Sequence, residues 1–219
     1  MMIYCVTHQN QQRKQRMTDR FNQLLLPVTF VESTGTCMDG HMECLQRLVD
    51  SGDDLAIICE DDIHIRKDFT TELPDIITQF KKRNLEMLML GYLLDFSPIT
   101  ENSELPLKDF VFTYHDYHSS VWGTQMYMID SNYAKHILAY FGPQSGYEEY
   151  SKNNQNAVPY SSDHIITKMS GRKALIYPMM AVEEGVIRDQ HKVEDVGTLI
   201  HVNYHKNCHL VNYDSSIHI

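Results

Sequence analysis

The chain has 219 residues, 42% of them hydrophobic and 22% charged, the proportions of an ordinary globular protein long enough to bury one substantial core. Its 29 acidic side chains outnumber the 19 basic ones, for a formal net charge of −10. That balance argues against a general nucleic-acid binder, whose affinity rests on lysine and arginine at phosphates, but it accommodates a small anionic ligand, because a divalent cation bridges carboxylates and phosphates.

The opening segment MMIYCVTHQNQQRKQR has no charged region ahead of its apolar stretch and reads as a first strand over MIYCVT, not as a leader. Met17, Phe21, Leu24 and Leu25 then recur at helical spacing within 13–26, and PVTFVES reads as a second strand. In MDGHMECLQRLVDSG, Met42, Leu45, Leu48 and Val49 share a helical face and Gly52 follows as a stop signal. DLAIICE is a third strand, PDIITQFKKRN a helix with Pro74 at its start, and LEMLMLGY a fourth strand. This alternation predicts an α/β fold with right-handed crossovers and a mostly parallel sheet, whose ligands bind beyond the carboxyl ends of the strands.

The second half differs. Residues 95–110 read as a loop, FVFTYHDYHSSVWGTQMYMID as two strands around a turn, and SNYAKHILAYF as a helix capped by Ser131. Residues 142–160 are polar and rich in turn formers, which predicts a mobile loop, one suited to closing over a bound ligand. SSDHIITKMSG is a short helix capped by Ser161 or Ser162, KALIYP a last strand, and the chain from about Ala181 is irregular and histidine-rich. The whole is expected to be one domain, a nucleotide-binding half at about 1–95 and an acceptor-side half at about 110–219.

Five cysteines, at positions 5, 37, 44, 59 and 208, include no CxxC pair and read as free thiols in a reducing compartment. No apolar run reaches the ~20 residues of a transmembrane helix, so the expected location is cytoplasmic, soluble or peripheral to a membrane. Twelve histidines form neither HExxH nor a zinc-finger spacing, and His201, His205 and His209 fall at i, i+4 and i+8.

The most unusual feature is DLAIICEDDIHI, where an apolar strand ends on Glu60, Asp61 and Asp62 and Ile63 and Ile65 then resume the apolar alternation. Three successive acids in interrupted core suit a hard divalent cation, Mg²⁺ or Mn²⁺. AIICEDDIHIRKDF resembles the EDD segment of glycosyltransferase family 25, which contains lipopolysaccharide and collagen galactosyltransferases. YCVTHQNQQRKQRM, GHMECLQRLVDSGDD, VWGTQMYMIDSNYAKHIL and VPYSSDHIITKM resemble further family segments in the family's order, over roughly residues 3–180. The chain departs from the pattern at Gly40, Met126 and Asp130, and matches the C-terminal signature only at Arg188–Asp189.

The resemblance implies a GT-A-like, Rossmann-related fold and an inverting, metal-dependent transfer of galactose or another hexose. The donor is a nucleotide diphosphate sugar, most simply a UDP-sugar, and the acceptor a hydroxyl of a glycan or protein. It implies Asp62 as the direct Mn²⁺ or Mg²⁺ ligand with Asp61 beside it, Glu60 as the most structural of the three acids, and a histidine among His191, His201 and His205 completing the site. Donor contacts fall to Thr7, Arg13, Glu60 and Asp61, with Arg13 and Arg16 as diphosphate candidates unless both lie on an exposed helix face. Asp163 is the expected base, with Asp189, Glu183 and Glu184 as alternatives. Trp122, Gly123, Thr124 and Gln125 are expected near the sugar or acceptor, and Trp122 and Tyr127 are candidate stacking rings unless they are core. Two competing readings stand beside this one: a Mg²⁺-dependent nucleotidyl or phosphoryl transferase using the same acids, and a catalytically silent sugar-binding scaffold, which the departures from the family pattern would suit.

Overall fold

The computed structural model describes residues 1–93, 111–142, 147–148, 151–152, 159–184, 205–206, 208–209 and 212–219. The expected loop at 95–110 and most of the one at 142–160 lie outside the described residues. In chain order the elements are β1 (Met2–Thr7), α1 (Gln11–Gln23), β2 (Thr29–Glu32), α2 (Cys37–Ser51), β3 (Leu55–Glu60), β4 (Ile63–Ile65), α3 (Phe69–Lys82) and β5 (Met87–Leu93). They continue as β6 (Thr113–Asp116), β7 (Trp122–Asp130), α4 (Ser131–Phe141), α5 (Ser162–Lys168), β8 (Lys173–Tyr177) and β9 (Ala181–Glu183).

Seven strands form one sheet in the order β2-β1-β3-β7-β5-β8-β6, and β4 pairs with β9 in a second, smaller one. Strands β2, β1, β3, β5 and β8 run one way, while β7 and β6 run the other. This is the mixed, mostly parallel α/β sheet flanked by helices that the sequence pattern and the family resemblance both predict. Alternation along β3 shows how the two faces are covered: Ala56 and Ile58 join Leu45 and Leu48 of α2 and Ile137 of α4 in one apolar cluster. Ile57 and Cys59 join Met17 and Phe21 of α1 and Phe69 and Phe80 of α3 in the other.

Local chemistry sets the helix ends. Asn10 caps α1 by accepting a hydrogen bond from the Arg13 amide at 3.1 Å, and α2 carries a reciprocal capping box between Thr36 and Asp39 and ends on left-handed Gly52. The cap of α4 is Asp130, not Ser131: the Asp130 carboxylate accepts from the Tyr133 amide at 2.8 Å, and Ser131 is the first helical residue. Pro74 lies inside α3 rather than at its start. The helix begins five residues earlier because Phe69, Leu73, Ile76 and Phe80 form one buried stripe, and that burial outweighs the hydrogen bond the proline lacks.

Two further differences concern pairing. β6 and β7 do not form a hairpin: β7 lies between β3 and β5, and β6 pairs with β8 at the sheet edge. β8 is not the last strand, since Ala181–Glu183 pairs antiparallel with β4 just past the acids. That small sheet packs tightly on the large one, and a Cβ added to Gly91 would come within 2.6 Å of the Ala181 carbonyl oxygen. Residue Gly91 also sits at a register shift of β5 against β7.

A strand interior normally gains from replacing glycine, so Gly91→Ala discriminates between propensity and close approach. The expected result is a loss of about 1–3 kcal/mol in urea denaturation, the usual cost of overpacking a close-packed site; a neutral or stabilising effect would disprove the tight contact.

Candidate active site

The carboxyl ends of β1 and β3 and the beginning of β7 meet at one edge of the large sheet, because β7 runs antiparallel to β3. The chain leaves β3 at Glu60, turns through Asp61 and Asp62, and enters β4 at Ile63. Ile63 and Ile65 are fully buried, which pins the turn and leaves Asp61 and Asp62 only 5% and 4% exposed.

Charges this enclosed need partners. Asp61 accepts a hydrogen bond from the Thr7 hydroxyl at 2.8 Å through Oδ2 and one from Arg13 Nη1 at 3.0 Å through Oδ1. The same Nη1 stands 3.5 Å from Asp62 Oδ2, so one guanidinium serves both acids. The Glu184 amide donates to the Asp62 carbonyl at 2.7 Å, tying the turn to the residue after β9. Glu184 in turn is gripped bidentately by Arg16 Nε and Nη2 at 2.9 and 2.8 Å, and by Arg20 Nη1 at 2.7 Å. Burial alone would raise its pKa, yet the two guanidiniums overcome that and hold it below its usual value.

Two cavities open at this edge. The smaller, about 190 Å³, is lined by Thr7, His8, Arg13, Gly35 and Asp61 among others, and the larger, about 340 Å³, by Asp62, Gly123, Gln125, Tyr160, Asp163 and Glu183 among others. Cys37 and Glu60 line both and form the seam. Glu60 Oε1 accepts from the Thr124 hydroxyl at 2.7 Å, and Ser162 Oγ stands 2.8 Å from that hydroxyl. The Gly123 amide donates to Asp163 Oδ1 at 2.8 Å. Only glycine fits at 123, since its φ is +84° and an added Cβ would lie 2.1 Å from Gln125 Oε1. Gln125 is buried and lines the larger cavity, and its Oε1 makes no hydrogen bond among the described residues. Burial, and next the nearby Glu60 charge, push the Asp163 carboxyl above its usual range against the opposing pull of the Gly123 amide.

Thr7, Arg13, Glu60, Asp61, Asp62, Gly123, Gln125 and Asp163, distant in sequence, thus converge on adjoining cavities. Other expectations change. Glu60, expected to be the most structural of the three acids, has the most open side chain, at 24% exposure, while Asp61 is held by both Thr7 and Arg13. Arg13 is not a helix-surface residue, and Arg16 is committed to Glu184. Thr124 is fully buried and holds Glu60 rather than facing the cavity. Tyr127 is fully buried and cannot stack on a sugar, its hydroxyl lying 2.9 Å from His41 Nδ1. Trp122 has the Lys168 ammonium 3.8 Å over its ring and the His164 ring edge-on at 5.2 Å. Glu184, with two arginines on its carboxylate, is a poor proton acceptor, and Glu183 pairs with His205. Asp189, His191 and His201 lie outside the described residues. Sequence reasoning passed over Cys37, His41 and Ser162. The i, i+4 spacing of Cys37 and His41 on a well-capped helix was the available signal for the first two.

The sequence matches the family model described as glycosyltransferase family 25 (LPS biosynthesis protein) over residues 32–150, more than half of the chain and spanning the acids, β7 and α4. The chain belongs to glycosyltransferase family 25. Membership makes glycosyl transfer its general activity and a sugar donor and an acceptor its partners. No curated protein matches the sequence. Among solved structures, A197 from STIV is similar in fold, with a TM-score of 0.50 at 10% identity over 83% of this chain and 84% of that one. Two others align more loosely. A glycosyltransferase involved in glycosylation of the major capsid of PBCV-1 has a TM-score of 0.44 at 8% identity, over 95% and 92% of the two chains. A putative glucose-1-phosphate thymidylyltransferase from Bacillus anthracis, in complex with a sucrose, has 0.39 at 12%, over 93% and 75%. No helix among the described residues is long and apolar enough to cross a membrane.

The Arg16–Glu184–Arg20 clamp has a pH signature. A carboxyl whose folded pKa is depressed adds stability above its unfolded value, near 4.5, and that contribution is lost as pH falls through the folded value. Glu184→Gln should therefore lower Tm at neutral pH and lose less Tm than the parent on acidification from about pH 5 to about pH 3. Parallel acid profiles for the two proteins would remove the clamp's electrostatic role.

Proposed function

We propose that this family member moves a hexose from a nucleotide diphosphate sugar, a UDP-sugar in the simplest case, to a hydroxyl of a glycan or protein, by an inverting displacement assisted by Mn²⁺ or Mg²⁺. The observation that carries the reading is the pair of adjoining cavities that share Glu60, with Arg13 and Asp61 lining one and Asp62 and Asp163 lining the other.

The donor's nucleotide fits the smaller cavity, at the ends of the parallel pair β1 and β3, where ligands of such sheets bind. Arg13, in the first turn of α1, is the proposed contact for the diphosphate. Thr7 acts through Asp61, since its hydroxyl is already donated there. The sugar would cross the seam at Glu60 into the larger cavity, toward Gly123 and Gln125.

The residues present fit a hard cation. Asp62 is a buried acid lining the larger cavity, Asp61 adjoins it in sequence, and Gln125, whose Oε1 makes no hydrogen bond among the described residues, lines the same cavity. Asp62 is the proposed direct ligand, with Asp61 beside it and His191, His201 or His205 as the completing histidine. A cation bound there supplies electrostatic stabilisation of the charge that develops on the departing nucleotide diphosphate.

Asp163 is the proposed base. Its raised pKa makes it a better proton acceptor than an exposed aspartate, and the Gly123 amide fixes one oxygen while leaving the other for the acceptor hydroxyl. Thr124 and Ser162 hold Glu60 and the start of α5 together, which keeps donor and acceptor walls in register.

The test is a panel of nucleotide sugars with Mn²⁺, reading release of nucleotide diphosphate. One donor should be consumed, with turnover lost on chelation and in Asp62→Asn. Asp163→Asn should slow transfer by about 10²–10⁴-fold with little change in donor affinity. The rate should rise with pH through an apparent pKa above the usual 3.8, because only the deprotonated form accepts the proton. No turnover across the panel, and no thermal stabilisation by Mn²⁺ with a nucleotide diphosphate, would favour a silent scaffold instead.

A further inference from the structure

Cys37 and His41 lie one turn apart on α2, so both side chains leave the same helix face. Glu60 faces them from the end of β3, and a ligand atom of each of the three lies within 4.8 Å of the other two. His41 adds an independent indication. Its side chain is fully buried, yet Nε2 makes no hydrogen bond and stands 3.6 Å from Glu60 Oε1. An enclosed ring nitrogen without a hydrogen bond is costly unless something else occupies it. The other nitrogen, Nδ1, is anchored to the Tyr127 hydroxyl at 2.9 Å, the kind of outer contact that orients a metal-binding imidazole.

We propose that Cys37, His41 and Glu60 form a site for a thiophilic divalent cation, Zn²⁺, distinct from the oxygen ligands at Asp61 and Asp62. One thiolate, one imidazole and one carboxylate are three protein ligands, and the cleft supplies a water as the fourth. Mg²⁺ and Mn²⁺ prefer oxygen sets and do not compete well for a thiolate. Bonds of ~2.0–2.3 Å place tetrahedral ligands about 3.5 Å apart. The His41–Glu60 separation of 3.6 Å already meets that, and the Cys37 sulfur lies within 4.8 Å of both. As the sulfur–zinc bond forms, the thiol proton passes to solvent. Because Cys37 and Glu60 line both cavities, an ion here occupies the seam between them. The assignment rests on this ligand set alone and holds whether or not the chain transfers sugars.

The test is Co²⁺ titration of the folded, full chain under reducing conditions, followed by absorbance. One equivalent should bind with a sulfur-to-cobalt charge-transfer band, be displaced by Zn²⁺ and persist in excess Mg²⁺. The cysteines other than Cys37 are buried, so the band reports Cys37. Cys37 is exposed at the first turn of α2, and Cys37→Ser should keep the far-UV circular dichroism while losing the band. Glu60→Gln should keep the band and weaken Co²⁺ binding by about tenfold or more. Absence of the band in the parent, an unchanged band in Cys37→Ser, or unchanged affinity in Glu60→Gln would each overturn the site.

Discussion

The ion pair between Arg13 and the carboxylates of Asp61 and Asp62 is the interaction on which the rest of this edge depends. Water solvates three successive acids easily at a surface, but here Ile63 and Ile65 bury the turn on its far side. Removing one partner of such an enclosed pair typically costs about 3–5 kcal/mol, because the remaining charge has nowhere to go. The Asn10 cap fixes the start of α1 and with it the origin of Arg13, so a surface capping bond decides where a buried positive charge arrives. The two carboxylates are thereby held close together on one guanidinium.

The antiparallel strand β7 does the complementary work. In a sheet whose neighbouring strands all ran parallel, the residues beside the end of β3 would be the last of the adjacent strand. With β7 reversed they are its first, so Gly123, Thr124 and Gln125 face the acids while Asp130 caps α4 at the opposite end. One strand reversal thus brings both halves of the sequence to a common wall. Asp163, Ser162 and Glu60 are then linked through Gly123 and Thr124 by hydrogen bonds that do not depend on any ligand.

Much of this was legible from residue order. MIYCVT, LAIICE and MLMLGYL are apolar enough to be strands in any context, and α2 carries a stop glycine and a clear apolar face. The acids stood out because an apolar strand precedes them and Ile63 and Ile65 resume the apolar alternation after them. What periodicity does not encode is partner choice, so neither the insertion of β7 between β3 and β5 nor the pairing of β6 with β8 could be read. β9 is three residues long, too short for a pattern, and is a strand because β4 offers it a partner. Pro74 and Ser131 were misplaced for a related reason. Local preference named the position, while burial of Phe69 and the reach of Asp130 decided it. Thr124 and Tyr127 carried the right chemistry for a site, but their side chains point inward, where they hold Glu60 and His41.

The contacts that fix the acid turn are also among the longest-range in the molecule. Arg16 and Arg20 reach Glu184 across 168 and 164 residues, and His64 meets the Ile219 carbonyl across 155. Loop closure of that span is entropically unfavourable until the intervening chain is already compact. The parallel ladder β2-β1-β3 has no such requirement, since its strands are neighbours in order and contained within the first 60 residues. The turn bearing Asp61 and Asp62 is thus held twice, by Thr7 and Arg13 from within the same ladder region and by contacts from the segments near residues 184 and 219. The charged centre therefore ties the two ends of the described chain to the sheet beneath it.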